Sequence, residues 1–228
     1  MPELRMEKSK KVKEVTEYII QIYGEPKAGK STFASNFPDA YFICTEPGHK
    51  FLEVYGGDII HKDWNEVKDT CRHLAKGDHP FKTIVFDTVD NAHEFCSKHV
   101  NKARGIEHES DEGFGKGWAA VQKEFKLVIN TLANRGYGVV FISHVSQTER
   151  TTKGMKHSYL DNSLSGKARK FINGLSDVIL YAHSNDNGDR FLRTKASTTV
   201  NAGDRSGLLP EIIEMDYKVF EKGMKGKK

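Results

Sequence analysis

One short stretch constrains this chain more than any other. Residues 22–37, IYGEPKAGKSTFASNF, pass from an apolar strand pattern through a glycine-bearing turn into a helical pattern. The centre of this stretch, from Gly24 to Ser31, fits the spacing GxxxxGK[ST] at the strand-to-helix position where that spacing has a physical meaning. Glycines let backbone N–H groups turn toward a phosphate, and the start of the helix adds partial positive charge. The stretch therefore predicts a nucleoside triphosphate site.

The polar side chains of this loop have separate expected roles. Lys30 is placed to reach the β and γ phosphates, and the Ser31 hydroxyl is placed to bind Mg²⁺. Asp87 closes the buried strand pattern TIVFD and is a second oxygen ligand for the metal, with Thr88 as an alternative. We expect ATP and Mg²⁺ as ligands. The residues expected to contact them are Gly24, Glu25, Pro26, Lys27, Ala28, Gly29, Lys30, Ser31, Thr32 and Asp87.

Two more polar positions follow predicted strands. Glu46 comes after AYFICT, and His144 comes after GVVFIS. Parallel strands deliver their carboxyl ends to one ligand crevice, so both side chains are expected near the γ phosphate. Glu46 is the candidate general base for an attacking water. His144 is the first candidate for sensing the γ phosphate, ahead of Ser143 and Gln147.

Composition limits the class of protein. The chain has 228 residues, a net charge of +4 and 37% hydrophobic residues, which fits one soluble domain. It contains no apolar run of the roughly 18 residues that a membrane span needs and no signal-peptide pattern, so a cytoplasmic protein without membrane partners is expected. The three cysteines lack a CxxC spacing and are expected to be reduced.

The order of predicted elements indicates the fold class. Strands alternate with helices, which is typical of an α/β domain with a mainly parallel sheet flanked by helices. Closely spaced late strands, including EIIEMDYKVF at 211–220, predict an antiparallel C-terminal extension. We predict a basic flexible arm at 1–16, one ATPase domain at 17–220 and a basic tail at 221–228. Residues 104–117 and 145–166 are expected to be long polar loops.

The combined motifs resemble the RecA-like recombinase core. They are the loop at 24–31, the acid in FICTEPG, Asp87 after TIVF and the polar residues after VVFIS. The chain looks more closely similar to phage-encoded ATP-binding proteins with a minimal RecA-type core, the group associated with single-strand annealing and recombination. GFGKGW at 113–118 and AGDRSG at 202–207 add to this resemblance, which spans roughly residues 18–210.

The resemblance implies a RecA-like P-loop NTPase fold and an ATPase that DNA stimulates. Such a protein would act in phage DNA recombination, annealing or replication inside the bacterial host. The family implies a homo-oligomer, either a ring or a filament, in which Lys195 and Arg205 reach the γ phosphate of a neighbouring subunit. A single-strand-binding protein is a further implied partner.

The resemblance also implies that the two polar loops line a channel for single-stranded DNA. The second loop and the start of the next helix combine cations for phosphates with an aromatic ring for base stacking. The residues expected to bind DNA are Arg150, Lys153, Lys156, Tyr159, Lys167 and Arg169.

Two other readings of the sequence stay open. A small P-loop kinase would share the phosphate loop, although the chain lacks a compact arginine-rich lid and a kinase gives Glu46 no role. A nucleotide-gated module, in which ATP only sets the oligomeric state, would share the loop as well. A partitioning ATPase is disfavoured because Glu25 stands where that class has an additional lysine.

Overall fold

One mixed β-sheet organises the fold, in a computed structural model that describes residues 14–152 and 154–226. The strands in this part of the chain are β1 (Ile19–Gly24), β2 (Ala40–Cys44), β3 (Thr83–Asp87), β4 (Gly138–Thr152), β5 (Met155–Asn162), β6 (Val178–Ser184), β7 (Arg190–Arg193), β8 (Gly203–Asp204) and β9 (Ile212–Glu214). Their order is β2-β3-β4-β1-β6-β7-β9, while β5 pairs with β4 and β8 pairs with β6.

The first five strands of this order run parallel to one another, whereas β7 and β8 each pair antiparallel with β6, and β9 pairs antiparallel with β7. Every residue of β3, TIVFD, is buried, as expected for a parallel strand that is covered on both faces. Parallel pairing brings the carboxyl ends of β1, β2, β3 and β6 to one edge of the sheet. The predicted α/β class with an antiparallel C-terminal extension is confirmed.

Helices cover both faces of the sheet. They are α1 (Lys30–Ala34), α2 (Trp64–Lys76), α3 (Val89–Arg104), α4 (Lys116–Ala133), α5 (Gly166–Leu175) and α6 (Tyr217–Met224). One apolar cluster joins α2, α3, α4 and α5 to the sheet, with Trp64 and Phe125 at its centre. The second cluster joins α1 and α6 to the opposite face through Phe33 and Phe220. No helix in the described residues is apolar over enough length to span a membrane.

The second predicted loop is a β-hairpin for most of its length. Beyond His144, β4 continues through Thr152 and pairs antiparallel with β5, from Val145 opposite Asn162 to Thr152 opposite Met155. Gly154 lies in the turn with φ of 80°, a conformation that glycine adopts without steric cost. The prediction of an irregular loop was wrong here, because polar residues that are rich in threonine and serine can form an exposed two-stranded ladder.

The first predicted loop also contains regular turns. Two 3₁₀ turns occupy Glu109–Asp111 and Gly113–Gly115. The Asp111 carboxylate accepts from the backbone N–H of His108 at 2.8 Å, and Arg104 forms a hydrogen-bonded ion pair with Glu112. These local hydrogen bonds hold a segment whose glycines and charges alone predicted a mobile loop.

The C-terminal prediction needs correction at one point. The expected strand at 211–220 is β9 only as far as Glu214, and α6 follows it. Asp216 accepts from the backbone N–H of Val219 at 3.0 Å and so begins the helix. The side chains of Val15 and Met224 are buried, so the folded domain extends beyond the predicted limits of 17 and 220. Most of the predicted basic arm, residues 1–13, lies outside the described residues.

The packing of α6 can be tested by truncating its buried ring. Phe220 is 0% exposed and contacts both Phe33 and Phe37. We expect Phe220→Ala to lower the free energy of unfolding by about 3–5 kcal/mol, because it removes a ring from a closed apolar cluster. Urea denaturation followed by circular dichroism measures this change. The neighbouring exposed variant Val219→Ala should change the same quantity by about 0.5 kcal/mol or less. Equal small effects of both variants would show that α6 is not docked.

Candidate functional site

The predicted phosphate loop connects β1 to α1 at the carboxyl edge of the sheet. Gly29 precedes the helix with φ of 95° and ψ of 11°, in the left-handed region that favours glycine. Lys27, at the tip of the loop, also has a positive φ, of 66°. The loop therefore has an open concave backbone, as the GxxxxGK[ST] spacing predicts.

Lys30 is held across the mouth of this loop. Its Nζ donates to the carbonyl oxygens of Gly24 at 2.9 Å and Glu25 at 2.8 Å, and the residue is 6% exposed. Burial lowers the pKa of Lys30, while the nearby carboxylates of Asp87 and Glu46 act in the opposite direction. Its hydrogen-bond partners are neutral carbonyls, so the ammonium remains available to pair with an anion.

The two expected metal ligands are in contact. The Ser31 hydroxyl donates to Oδ2 of Asp87 at 2.6 Å, although β4 lies between β1, which leads into the helix of Ser31, and β3, which carries Asp87. Hard oxygen donors of this kind suit Mg²⁺, so the residues present fit the expected metal. The alternative ligand Thr88 is also buried here, and its Oγ1 has no hydrogen-bond partner among the described residues.

His49 is the third member of this group. Its Nε2 lies 2.8 Å from Oδ2 of Asp87, and both side chains are almost fully buried. Its Nδ1 has no partner in the described part of the chain. The histidine and Ser31 thus contact the same carboxylate oxygen and together hold it in place. The sequence analysis did not select His49, because a single histidine three positions after Glu46 matches no motif.

Glu46 and His144 meet in the cleft, as their strand-end positions predict. Oε2 of Glu46 lies 3.5 Å from Nε2 of His144 and 3.3 Å from Nδ2 of Asn91. The hydrogen bond with Glu46 raises the pKa of His144, and partial burial opposes this effect. A carboxylate beside a histidine at this edge of the sheet can position a water molecule or relay a proton.

A buried carboxylate links the same edge to the β4–β5 hairpin. Asp90 accepts from the Ser143 hydroxyl at 2.9 Å, from the backbone N–H of His144 at 3.3 Å and from the Ser163 hydroxyl. Ser143 ends the sheet portion of β4, and Ser163 follows β5. Burial raises the pKa of Asp90, while these hydrogen bonds act against the shift. The sequence analysis missed Asp90, although its position three residues after Asp87 was a usable signal.

A single cleft of about 440 Å³, a size that suits a small-molecule ligand, is lined by Lys30, Ser31, Glu46, Asp87 and His144. Its wall includes the phosphate loop, the segment after β2 and His144 of β4. Arg190, at the start of β7, is a further member of the wall that the sequence analysis did not select. Arg190 lies at this edge because β7 pairs antiparallel with β6. The register of that pairing cannot be read from a local sequence pattern.

Lys195 and Arg205 lie away from this cleft in the same chain. Lys195 is exposed after the end of β7, and its carbonyl oxygen accepts from Arg193. Arg205 follows β8, which pairs with the amino end of β6, at the opposite edge of the sheet from the phosphate loop. Its Nη1 donates to Asp177 at 3.0 Å. The structure therefore does not bring either residue to the phosphates of its own chain, and a role toward a neighbouring subunit stays a prediction.

The expected DNA-binding residues lie on the hairpin and on α5. Lys156 and Lys167 are exposed, while Arg169 is half-buried and donates to the carbonyl oxygen of Leu164 at 3.0 Å. The Arg150 guanidinium lies 3.3 Å from the ring centroid of Tyr159, which is only 7% exposed. Arg150 therefore covers the ring in this structure, and stacking of Tyr159 on a DNA base stays a prediction. Lys153 lies outside the described residues.

The loop, the lysine bound across it and the serine–aspartate pair define a P-loop NTPase. The chain belongs to the AAA domain family, whose model, AAA_24, matches residues 16–206. This membership confirms the P-loop NTPase class that the motifs predict.

Two known proteins show how far the similarity extends. The SPbeta prophage-derived uncharacterized protein YorG of Bacillus subtilis (strain 168) is 25% identical over 172 residues, covering 73% of this chain and 51% of that protein. The chain thus spans about half the length of the curated relative it matches. The prophage origin of that relative agrees with the predicted resemblance to phage-encoded proteins. A solved structure titled as the RadB recombinase is 15% identical with a TM-score of 0.46, covering 79% of this chain and 81% of that chain.

The Glu46–His144 contact predicts an altered titration. We expect His144 to gain its proton at a pH above the ordinary histidine pKa of 6.5, because the carboxylate stabilises the imidazolium. Glu46→Gln should lower this pKa, since burial and the positive charge of Lys30 then act without opposition from Glu46. NMR titration of the His144 ring, assigned with His144→Gln, measures the change. Glu53→Gln, an exposed acid on the same segment, is the control and should leave it unchanged. Identical pKa values in wild type and Glu46→Gln would contradict the contact.

Proposed function

We propose that this chain is an ATP-dependent, single-stranded-DNA-binding ATPase that acts in phage DNA recombination, annealing or replication. The observation that carries this proposal is the Asp90 carboxylate, which joins the strand end facing the nucleotide cleft to the base of an exposed cationic hairpin. A P-loop NTPase that only phosphorylates a small molecule has no need of such a connection.

The cleft has the groups that ATP hydrolysis requires. Lys30 supplies a positive charge for the phosphates, and the backbone of the loop supplies N–H donors. Bound Mg²⁺ would neutralise phosphate charge, held by Ser31 and Asp87, with His49 orienting the aspartate. Glu46 lies beside His144 in the cleft, where its carboxylate can accept a proton from an attacking water.

The DNA-binding part of the proposal rests on the hairpin and α5. Lys156 and Lys167 project exposed ammonium groups that can pair with phosphates, and Arg150 has a guanidinium that is about half exposed. Glu149 partly offsets Lys156, from which it lies 3.2 Å. Since Tyr159 is covered, we assign the contact to phosphate pairing more than to base stacking.

Coupling between the two parts is proposed to run through Asp90. Glu46 contacts the His144 side chain, and the His144 backbone donates to Asp90, whose other oxygen binds Ser143 and Ser163. A displacement of Glu46 or His144 on nucleotide binding would therefore shift Asp90 and, through it, Ser143 and Ser163 at the base of the hairpin. We further propose a homo-oligomer in the cytoplasm of a bacterial host, in which Arg205 would have to leave Asp177 to reach a neighbour's nucleotide.

The hydrolytic assignment predicts separate losses in two variants. Glu46→Gln should bind ATP with nearly wild-type affinity but hydrolyse it roughly 10²-fold or more slowly, because it removes the proton acceptor and keeps the side-chain volume. Lys30→Ala should lose ATP binding as well as turnover. Fluorescent-nucleotide titration and phosphate release measure the two properties. Wild-type turnover in Glu46→Gln would move the general base to another residue, and wild-type turnover in Lys30→Ala would refute the nucleotide site.

The coupling predicts that single-stranded DNA stimulates ATP hydrolysis. The double variant Lys156→Gln/Lys167→Gln should weaken DNA binding and flatten its salt dependence, because fewer phosphate contacts release fewer counterions. Asp90→Asn should bind DNA but lose the stimulation of ATP hydrolysis. The carboxylate accepts three hydrogen bonds, from the His144 N–H and the two serine hydroxyls, and an amide, which has one oxygen and one N–H₂ group, cannot accept all three. DNA binding by fluorescence anisotropy and ATPase rates with and without DNA distinguish these outcomes.

The matched control places the same charge change on the other face of the sheet. Lys218 and Lys222 are exposed on α6, which packs against the face opposite α5. The variant Lys218→Gln/Lys222→Gln should retain DNA binding and stimulation. Equal losses in the two double variants would indicate a general charge effect. Absence of DNA binding by the wild-type protein at low salt with ATP present would favour the kinase or the nucleotide-gated module.

A further inference from the structure

The β6–β7 hairpin brings an arginine to the phosphate loop. Gly24, where the loop begins, lies beside Ala182 of β6, and two residues further on Ser184 pairs with Arg190 at the start of β7. Arg190 is thus at the same edge of the sheet as the loop, although the two are far apart in sequence. It lines the cleft together with Lys30 and Ser31.

The guanidinium lies directly against the loop backbone. A Cβ atom built on Gly29 would be 2.8 Å from Nη1 and 3.2 Å from Cδ of Arg190. Any larger residue at position 29 would therefore displace this side chain. The close approach places a planar cation beside backbone that the GxxxxGK[ST] spacing assigns to phosphate binding.

Arg190 has no hydrogen-bond or ion-pair partner for its side chain among the described residues. The adjacent Asp189 is bound instead to Asn185, whose Nδ2 donates to it at 2.9 Å. Arg193, on the same short strand, shows the contrasting case. Its Nη2 donates to Glu211 at 2.5 Å and its Nε donates to the carbonyl oxygen of Lys195 at 3.1 Å. The strand therefore carries one neutralised arginine and one that is free to bind an anion.

We propose that Arg190 binds a phosphate group of the nucleotide held by its own chain, an inference that rests on the proposed ATP site. Within the described cleft, Lys30 is the buried cation, and the carboxylates of Asp87 and Glu46 oppose it. A triphosphate carries more negative charge than one ammonium and one Mg²⁺ together offset. A guanidinium offers two parallel N–H donors to phosphate oxygens, and its charge persists at any pH at which the protein folds.

The experiment compares nucleotide with inorganic tripolyphosphate, which carries the phosphates without base or sugar. Each is titrated, in the presence of Mg²⁺, as a competitor of a fluorescent ATP analogue on the full chain. We expect Arg190→Gln to weaken the binding of ATP and of tripolyphosphate to a similar extent, by about 10-fold to 100-fold, since it removes a charge-assisted hydrogen bond. Arg190→Lys should recover part of the affinity. Arg193→Gln is the control and should match wild type.

Three outcomes would overturn the inference. Unchanged inhibition constants in Arg190→Gln would show that the guanidinium does not bind phosphate. Weaker binding of ATP together with unchanged binding of tripolyphosphate would assign the contact of Arg190 to the base or the sugar. An equal loss in Arg193→Gln would reflect general charge or folding. The proposed function would stand in each case if the wild-type chain binds ATP and Lys30→Ala does not. If the wild-type chain binds neither ATP nor tripolyphosphate, both the proposed function and the inference about Arg190 would be refuted.

Discussion

The hydrogen bond between Ser31 and Asp87 joins two segments whose meeting depends on the whole sheet. The strands β1 and β3 are not neighbours, because β4 is inserted between them. The parallel direction of all three strands nevertheless brings their carboxyl ends to one edge, where a serine at the start of α1 reaches an aspartate at 2.6 Å. A buried carboxylate needs such partners, and His49 provides the second. The register of the sheet therefore sets the geometry of the cleft before any ligand is present.

The same edge of the sheet gathers charges that are incompletely paired among the described residues. Lys30 is bound to neutral carbonyl oxygens, and Asp90 to hydroxyls and one backbone N–H. Burying ionisable groups in this way opposes folding, because hydrogen bonds to neutral partners replace water only in part. A ligand that brings phosphates and a divalent cation supplies the missing counter-charges. Ligand binding and domain stability are thus linked at this edge of the sheet.

The sequence predicted the parts of the site that a local spacing encodes. The loop from Gly24 to Ser31 and the acids Glu46 and Asp87 are each one short step beyond a recognisable strand, so their common edge follows from parallel pairing alone. His49 contacts Asp87 because the segment after β2 folds back over it, and Arg190 enters the cleft through the antiparallel register of β6 and β7. No local sequence pattern shows either arrangement. Asp90 lay within reach of sequence reasoning, because it begins the helix that follows Asp87.

The errors in the fold prediction share a physical origin. The outer part of the hairpin is polar because most of its side chains are exposed, and exposure removes the apolar alternation by which strands are recognised. The segment 211–220 was assigned to one strand because it has apolar residues on both sides of Asp216. In the structure Asp216 is the N-cap of α6. The stacking role predicted for Tyr159 followed from its chemistry, but its ring is covered by Arg150, which lies diagonal to it on the paired strand.

The uninterrupted length of β4 has a mechanical consequence. The strand runs from Gly138 to Thr152, so its sheet portion and its hairpin portion form one continuous strand. At the usual rise of a strand, the eight residues beyond His144 extend about 26 Å from the edge of the sheet. An arm of that length that moves as one body would convert a tilt of about 5° at its base into a movement of about 2 Å at its tip. The tip of the hairpin would thus amplify small displacements beside the nucleotide cleft.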